Sequence, residues 1–267
     1  MRRDPLTGRL VVTAPGRAKR PGAFPQLEPP PNPGELEDCP FCAGREDRTP
    51  PETLRLPADG GWQVRVVPNL YPAFDRQEVV VHSPDHVRSI ADLSDQRLEL
   101  VAEAWRRRAQ GAGYVHAIVN EGRLAGASLP HTHSQLVWLR EPPPAVAQEG
   151  AMAGVLDGEP VLELDGVAVV CPAVSADPYE MRIAPVEPET GAYRSEHLGP
   201  SLRAAAEALR RLRAVEPAAP VNLWLHDGPR WHLHLVPRLT VAAGIELGAA
   251  IHVNSLPVAE AAARLRA

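Results

Sequence analysis

The sequence predicts an α+β fold made of two related halves that meet near residue 150. Strands, one amphipathic helix and a closing pair of strands follow one another twice along the chain. The later strand of each closing pair carries two histidines separated by one residue, His-Thr-His at 131–133 and His-Leu-His at 232–234. We therefore expect two domains, residues 1–148 and 149–267, each an antiparallel sheet with flanking helices.

Short-range patterns predict the elements of the first half. β-Branched and other apolar residues predict strands at residues 10–13, 63–67, 78–82 and 114–120. Before the last of these, Ser94 is suited to cap a helix whose apolar residues recur at positions 98, 101, 102 and 105. Residues 25–33 are rich in proline, which argues against a helix or a central strand there.

The elements of the second half follow from similar patterns. Asp165-Gly166 suits a type I′ turn, so residues 161–170 are predicted to form a hairpin. A helix is expected where apolar residues recur between positions 202 and 212, and a closing helix after Pro257, which suits a first helical position. Further strands are expected at residues 181–186, 221–226, 231–237 and 245–253.

The composition excludes several broad classes of protein. The 267 residues are 44% hydrophobic and 23% charged, as in ordinary soluble domains, and the net charge of −5 argues against general binding to nucleic acid or membrane surfaces. The sequence has neither a membrane span nor the apolar core of a signal peptide, so we expect a cytoplasmic protein. Its three cysteines do not make a disulfide framework.

A row of reactive side chains is predicted just after a glycine-bearing loop. In an extended backbone His131, His133 and Gln135 point to one face, and the preceding glycines let backbone amides approach an anion. A single histidine near a strand is usually a satisfied core or surface residue, but three alternating polar groups beside such a loop favour a functional site. The imidazole of His133 can attack an activated phosphorus, with Gln135 and the amides of residues 126–128 donating to the phosphoryl oxygens.

Metal binding is predicted for Cys39-Pro-Phe-Cys42. Redox sites such as those of glutaredoxins have a similar sequence, but they follow a buried strand and open a helix, whereas a proline-rich stretch precedes these cysteines and Gly44 follows soon after. A four-coordinate structural zinc ion needs two more ligands, and His86 and His131 are available among the ten histidines.

Three other segments have both a functional and a structural interpretation. The cationic residues Arg17, Lys19 and Arg20 suit phosphate binding, although such groups usually form a solvated surface. The irregular loop 67–74 carries an amide and two aromatic rings, which can sandwich a base or fill a core. The third segment supplies a cluster that indicates either a metal site or hydrogen-bonded histidines, namely His226, His232 and His234.

Taken in chain order, these motifs resemble those of a known family. They are Arg17-Ala-Lys-Arg20-Pro, Cys39-Pro-Phe-Cys42, Asn69-Leu-Tyr-Pro-Ala, Ser83-Pro-Asp-His86, Asn120-Glu-Gly122, Gly126-Ala-Ser-Leu-Pro-His131-x-His133-x-Gln135 and Trp231-His-Leu-His234. Their order is similar to that in galactose-1-phosphate uridylyltransferases over almost the whole chain. Those enzymes belong to the histidine-triad superfamily, have two histidine-triad-like halves per chain and are usually homodimers. The resemblance implies the same fold and assembly here.

The resemblance also implies a ping-pong reaction. His133 attacks the α-phosphorus of UDP-glucose and releases glucose 1-phosphate, galactose 1-phosphate then takes the uridylyl group, and Gln135 steadies the intermediate. The implied ligands of a structural zinc ion are Cys39, Cys42, His86 and His131. A second site, for zinc or iron, is implied at Glu149, His226, His232 and His234. The implied contacts to the nucleotide sugar and hexose 1-phosphate are Arg17, Arg20, Asn69, Leu70, Asn120, Gly126, Ser128 and Glu246.

The chain departs from the family pattern at several places, one of which is the short loop between His226 and His232. Thr132 stands where proline is common, Ser134 stands where glycine is common, and residues 241–245 lack the lysine and the aromatic residue that contact sugar in the best-known members. Relatives with the His-x-His-Ser-Gln form include phosphorylases that act on ADP-glucose, so that reaction is the main alternative. A non-catalytic, zinc-stabilised nucleotide-binding protein is the alternative from another class.

Overall fold

The computed structural model describes residues 1–19, 33–149, 154–217 and 219–267. The strands are β1 (Arg2–Arg3), β2 (Leu10–Thr13), β3 (Leu54–Leu56), β4 (Val64–Pro68), β5 (Gln77–Val81), β6 (Tyr114–Glu121), β7 (His133–Leu139), β8 (Gly158–Leu164), β9 (Val167–Pro172), β10 (Met181–Pro185), β11 (Val221–His226), β12 (His232–Pro237) and β13 (Ile251–Asn254). The α-helices are α1 (Pro33–Asp38), α2 (Asp95–Arg108), α3 (Pro144–Ala147), α4 (Leu198–Val215), α5 (Gly244–Ala249) and α6 (Val258–Arg266). Within these described ranges, none of the helices combines the length and the apolar composition that a bilayer span requires.

Two arrays of strands with the same order meet edge to edge in a ten-stranded sheet of the described residues. The order is β3-β4-β5-β7-β6 in the first array and β8-β9-β10-β12-β11 in the second, with α2 and α4 at equivalent places in the chain. β6 and β11 join the arrays in antiparallel register, with Asn120 opposite Asn222. The predicted α+β fold with antiparallel sheets is confirmed, although the edge strands pair and make the two sheets continuous. The domain boundary between residues 148 and 149 stays a prediction.

Alternation along the central strands separates a core face of the sheet from an open face. Ala117 of β6 is fully buried in one apolar cluster with residues of α2 and α4. Its neighbours His116 and Ile118 point to the opposite face because successive side chains of a strand alternate. There they lie beside Val137 and Gln135 of β7, with which they pair in register. The polar row that ends in Gln135 therefore lies on the face opposite the helices.

Two local predictions are confirmed by backbone geometry. Ser94 caps α2, since its hydroxyl accepts a hydrogen bond from the Arg97 amide at 3.3 Å. The hairpin of β8 and β9 turns at Asp165 and Gly166, whose φ angles of 48° and 77° are both in the left-handed region that a type I′ turn requires.

Two stretches near the ends of the chain differ from the prediction. The strand predicted at 245–253 is wrong in its first part, because the Glu246 carboxylate accepts a bond from the Ala243 amide at 2.9 Å and starts α5 instead. Ala250 ends that helix at φ 53°, and only then does β13 begin. β13 pairs in parallel with β2, and β1 completes a separate three-stranded sheet. Of the proline-rich stretch 25–33, only Pro33 lies within the described residues, and it begins α1.

Candidate active site and metal centres

His133 opens β7 on the face of the sheet opposite the helices. Its Nδ1–H donates to the backbone carbonyl of His131 at 2.8 Å, which leaves the lone pair on Nε2. Burial lowers the pKa of His133 below its usual range, so the imidazole is neutral near pH 7. The Phe41 ring meets it edge-on with 5.3 Å between ring centroids. His133 is thus a neutral imidazole held in one orientation, which nucleophilic attack requires.

Amide side chains beside His133 are held by hydrogen bonds to one another. The Gln135 carbonyl oxygen accepts from Gln77 Nε2 at 2.5 Å and from Asn69 Nδ2 at 3.4 Å. Because both bonds use the carbonyl, neither consumes the N–H donors of Gln135. Across the seam between the two arrays, Asn222 Nδ2 donates to Asn120 Oδ1 at 2.8 Å. The second half of the chain therefore helps to orient a predicted substrate contact of the first half.

The loop between β6 and β7 is a tight turn. Gly126 adopts a φ of 86°, and its amide donates to the Arg123 carbonyl at 3.0 Å. The Ala127 amide donates to the Gly122 carbonyl at 3.1 Å. The amides of residues 126–128 are predicted from the sequence to bind phosphoryl oxygens, but the first two donate within the turn. In this conformation, a contribution of these amides to phosphate binding has to come from Ser128.

Cys39, Cys42, His86 and His131 come together beside the start of β7. Their ligand atoms all lie within 4.8 Å of one another. The Cys39 sulfur is 3.3 Å from Nδ1 of His131, and the Cys42 sulfur is 3.5 Å from Nδ1 of His86 and 3.7 Å from Nδ1 of His131. Four ligands at ~2.0–2.3 Å from a tetrahedral zinc ion lie about 3.3–3.8 Å apart. The four residues therefore fit a closed structural zinc site.

The surroundings of these four residues also fit a metal better than a redox site. The outward nitrogens of the imidazoles are bonded, His86 Nε2 to Glu35 Oε1 at 2.8 Å and His131 Nε2 to the Ser83 carbonyl at 2.9 Å. Such outer bonds fix ring orientation around metals. Burial and the neighbouring thiol raise the pKa of Cys42 to about 11, so its thiolate needs a compensating cation. Redox cysteines need the opposite shift.

Glu149, His226, His232 and His234 form a second convergent group, also within 4.8 Å of one another. Glu149 Oε1 is 2.7 Å from His226 Nδ1 and 3.7 Å from Nε2 of His232 and of His234. The two Nε2 atoms are 2.9 Å apart. Burial alone would raise the pKa of Glu149, but bonds from the three histidines outweigh it and lower the pKa. One carboxylate and three imidazoles suit a divalent transition metal such as zinc or iron.

A trough on the open face runs from the second group toward β7. A cavity of about 480 Å³ opens onto the second group and is lined in part by His116 and Trp224. A groove of about 590 Å³ shares His116 with that cavity and continues along Ile118 and Val137. Ile118 lies opposite Gln135 in the sheet. The floor of the trough therefore leads from the second group of ligands to the neighbourhood of the nucleophile.

The other predicted substrate contacts lie at the edges of the structure. Leu70, in the loop after β4, is 59% exposed. Arg17 is exposed in a short 3-10 turn, and Arg20 lies outside the described residues. Glu246 is in α5, where its carboxylate caps the helix. A role for each of them in substrate binding stays a prediction.

The residues that support the candidate ligands are not predictable from local sequence patterns. Glu35 bonds to His86 across 51 positions of the chain, and the Ser83 carbonyl bonds to His131 across 48. Gln77 bonds to Gln135 from the neighbouring strand. None of these contacts leaves a local pattern in the sequence, although a polar residue at the start of an apolar strand is a weak signal for Gln77.

Comparisons with known proteins identify chains of similar sequence and similar fold. Residues 71–143 match a family model described as galactose-1-phosphate uridyl transferase, N-terminal domain. An ADP-glucose phosphorylase from Arabidopsis thaliana is 28% identical over 95% of this chain and 88% of that protein. The crystal structure of an A. thaliana ADP-glucose phosphorylase with bound ADP-glucose superposes with a TM-score of 0.86 at 25% identity, covering 99% of this chain and 97% of that one. The resemblance of this chain to the galactose-1-phosphate uridylyltransferase family is therefore confirmed.

The similarity covers the two arrays unequally. A galactose-1-phosphate uridylyltransferase from Streptomyces lividans is 31% identical, but over 51% of this chain and 36% of that protein. The segment matched by the family model contains His86, His131, His133 and Gln135, whereas Cys39, Cys42 and the second group of ligands lie outside it. The relatives are nucleotidyltransferases and a phosphorylase, which supports an enzyme of nucleotide-sugar metabolism.

Proposed function

We propose that this chain is a member of the galactose-1-phosphate uridylyltransferase family and transfers a nucleotidyl group from a nucleotide sugar through His133. We propose further that its reaction is the phosphorolysis of ADP-glucose. The observation that carries the chemistry is the fixed tautomer of His133, whose Nδ1–H is bonded to the His131 carbonyl at 2.8 Å. The choice of ADP-glucose is supported by the A. thaliana phosphorylase, which aligns with 95% of this chain.

The reaction has two displacements at the same phosphorus. In the first, the Nε2 lone pair of His133 attacks the α-phosphorus of ADP-glucose, a P–N bond forms, and the bond to the bridging oxygen breaks to release glucose 1-phosphate. In the second, an oxygen of inorganic phosphate attacks the adenylyl-histidine, the P–N bond breaks, and ADP leaves. The first displacement consumes the free imidazole of His133, and the second regenerates it. A covalent intermediate divides one difficult displacement into two easier ones.

Side chains around His133 are proposed to bind the phosphates and the base. Gln135 uses its carbonyl for Gln77 and Asn69, so its N–H groups can donate to phosphoryl oxygens as charge shifts during transfer. The exposed Leu70 in the neighbouring loop is proposed to cover the base. Arg17 is proposed to pair with a phosphate, for which a guanidinium is well shaped.

A structural zinc ion is proposed at Cys39, Cys42, His86 and His131, where it would cross-link three segments of the chain. Fixing His131 in this way would also fix His133, since the His131 carbonyl accepts the hydrogen bond from His133 Nδ1–H. The second group, at Glu149, His226, His232 and His234, is proposed to hold another zinc or an iron ion away from the reacting phosphorus. A homodimer and a cytoplasmic location stay predictions.

Uridylyl transfer from UDP-glucose to galactose 1-phosphate is the second candidate. It is favoured by the family model over residues 71–143, and by the S. lividans uridylyltransferase at 31% identity. The chemistry at His133 is the same, and only the base and the acceptor differ. A non-catalytic nucleotide-binding protein is the alternative of another class.

Trapping the covalent intermediate tests all three functions. The protein is mixed with ADP-glucose or UDP-glucose labelled at the α-phosphorus, quenched in base and mapped by mass spectrometry, because a phosphoramidate survives base and is lost in acid. We expect label on His133 from ADP-glucose, no label on a His133→Ala variant, and release as ADP when phosphate is added. Label from UDP-glucose that is discharged by galactose 1-phosphate would select the second candidate. Absence of label from both donors would refute covalent transfer.

A further inference from the structure

A row of buried polar side chains lies directly behind His133, on the core face of the sheet. Thr132 and Ser134, the residues on either side of His133, are 2% and 0% exposed. Both contact the fully buried imidazole of His82, whose Nδ1 is 3.1 Å from Thr132 Oγ1 and whose Nε2 is 3.0 Å from Ser134 Oγ. One imidazole therefore bridges the two neighbours of the proposed nucleophile.

The hydrogen bonds around His82 run in one direction. Trp105 Nε1–H donates to Ser134 Oγ at 2.8 Å, so the single proton of that hydroxyl is free to reach His82 Nε2. The Thr132 hydroxyl donates to Glu121 Oε1 at 3.5 Å, so it has to accept its other bond from His82 Nδ1–H. One neutral tautomer of His82 satisfies every member of the chain from Trp105 to Glu121.

Both ends of this chain are anchored in other elements. Trp105 is fully buried in α2. Glu121, at the end of β6, accepts from the Ser89 hydroxyl at 2.5 Å and from the Ile90 amide at 2.7 Å, in the turn that follows His86. Buried polar networks in which every member is paired are rigid. This series of hydrogen bonds thus fixes the start of β7 against α2, against β6 and against the turn that follows His86.

We infer that His82 is a positioning residue for His133, which it holds in its Nδ1–H tautomer by fixing Thr132 and Ser134. The inference rests on the proposed function, in which the direction of His133 Nε2 sets the rate of attack. Apolar side chains would fill these core positions without the cost of burying polar groups. A functional demand on the backbone beside His133 explains why this chain has hydroxyl groups at both positions.

Isosteric variants separate positioning from general stability. Thr132→Val keeps the shape of the side chain and removes its hydroxyl, whereas Thr132→Ser keeps the hydroxyl. If the valine variant does not fold, Ser134→Ala interrupts the same series of hydrogen bonds on the other side of His82. The matched control is Tyr193→Phe, which removes a buried bond of 2.9 Å to the Val115 carbonyl in the same core but leaves β7 untouched. The readouts are the tautomer of the His133 ring by nitrogen-15 NMR and the single-turnover rate of labelling by ADP-glucose.

We expect Thr132→Val to populate the second tautomer of His133 and to label about 10- to 100-fold more slowly, with unchanged affinity for ADP-glucose. Thr132→Ser and Tyr193→Phe should match the parent. A parental tautomer and rate in Thr132→Val, a slow Thr132→Ser, or an equally slow Tyr193→Phe would each overturn the inference. If the parent itself is not labelled, the proposed function fails, and the tautomer of His133 alone then tests whether His82 positions it. A shift in Thr132→Val that is absent from Thr132→Ser then supports positioning, and an unshifted spectrum overturns it.

Discussion

Glu35 offers a sharp test of the proposed zinc site, because it supports a ligand without being one. Its Oε1 accepts from His86 Nε2 at 2.8 Å and from Arg88 Nε at 2.8 Å, and the Arg88 bond is the main reason that the pKa of Glu35 is lowered. The carboxylate is therefore ionised and turns His86 so that Nδ1 faces the Cys42 sulfur at 3.5 Å. Losing an outer partner of this kind weakens metal binding by about 10- to 100-fold.

Replacing Glu35 by alanine should accordingly weaken zinc binding by about 10- to 100-fold, or about 1.4 to 2.7 kcal/mol. The assay is competition between the zinc-loaded protein and a chromogenic chelator of known affinity. Glu37→Ala is the matched control, since Glu37 lies in the same helix, is exposed and carries the same charge. We expect the control to retain the parental affinity, because its charge is screened by solvent. Glu35→Gln, which keeps an acceptor oxygen but not the charge, should fall between the two.

Equal zinc affinities of Glu35→Ala and Glu37→Ala would refute the supporting role of the Glu35 carboxylate. Equal losses in both variants would mean that the net charge of α1 matters rather than the contact with His86. Parental affinity in both would mean that His86 is oriented by the protein without Glu35, or that it is not a ligand. A metal-free parent protein would remove the basis of the test and contradict the zinc site itself.

Three other predictions concern stability. Asp4→Ala should lower the free energy of unfolding in urea by about 3–5 kcal/mol, because it leaves the buried guanidinium of Arg182, 2.5 Å from the Asp4 carboxylate, without its ion-pair partner. The control is Glu260→Ala, which removes one partner of an exposed pair and should cost less than about 1 kcal/mol. Equal losses of stability in the two variants would contradict the prediction. Burial raises the pKa of Glu121 to about 7, so the folded state binds the proton more tightly than the unfolded state. The free energy of unfolding should therefore fall by about 3 kcal/mol as the pH rises from about 4.5 to 7. Glu121→Gln should remove this dependence of stability on pH. Cys39→Ser should lower zinc content and unfolding free energy together, and undiminished zinc would exclude Cys39 as a ligand.

Local sequence patterns predicted most of the strands and helices, because a few adjacent residues determine where each of them forms. The alternation of β6 and the cap at Ser94 need information from a few adjacent residues, and both are observed. The strand predicted at 245–253 failed for a local reason as well, since Glu246 forms a capping bond to Ala243 that apolar content does not reveal. The pairing of β6 with β11 is not encoded in either strand alone.

The candidate site was predicted in part, and its supporting contacts were not. The His-x-His spacing is visible in the chain, and the resemblance to a family pointed to the two groups of ligands that the structure brings together. Glu35 and His82 were missed because each acts on a residue about 50 positions away. A polar residue in an apolar segment is ambiguous until its partner is known, and that partner is fixed only by the folded sheet.

The repeated arrays place the same His-x-His spacing in different registers, and this difference separates their chemistry. In the second array both histidines lie within β12, where His232 Nε2 and His234 Nε2 are 2.9 Å apart and both face Glu149. Those nitrogens are committed to one another and to a carboxylate. In the first array the strand begins only at His133, so His131 turns Nδ1 toward the cysteines while its carbonyl orients the next imidazole. A shift of strand onset by two residues thus separates a ligand from a nucleophile.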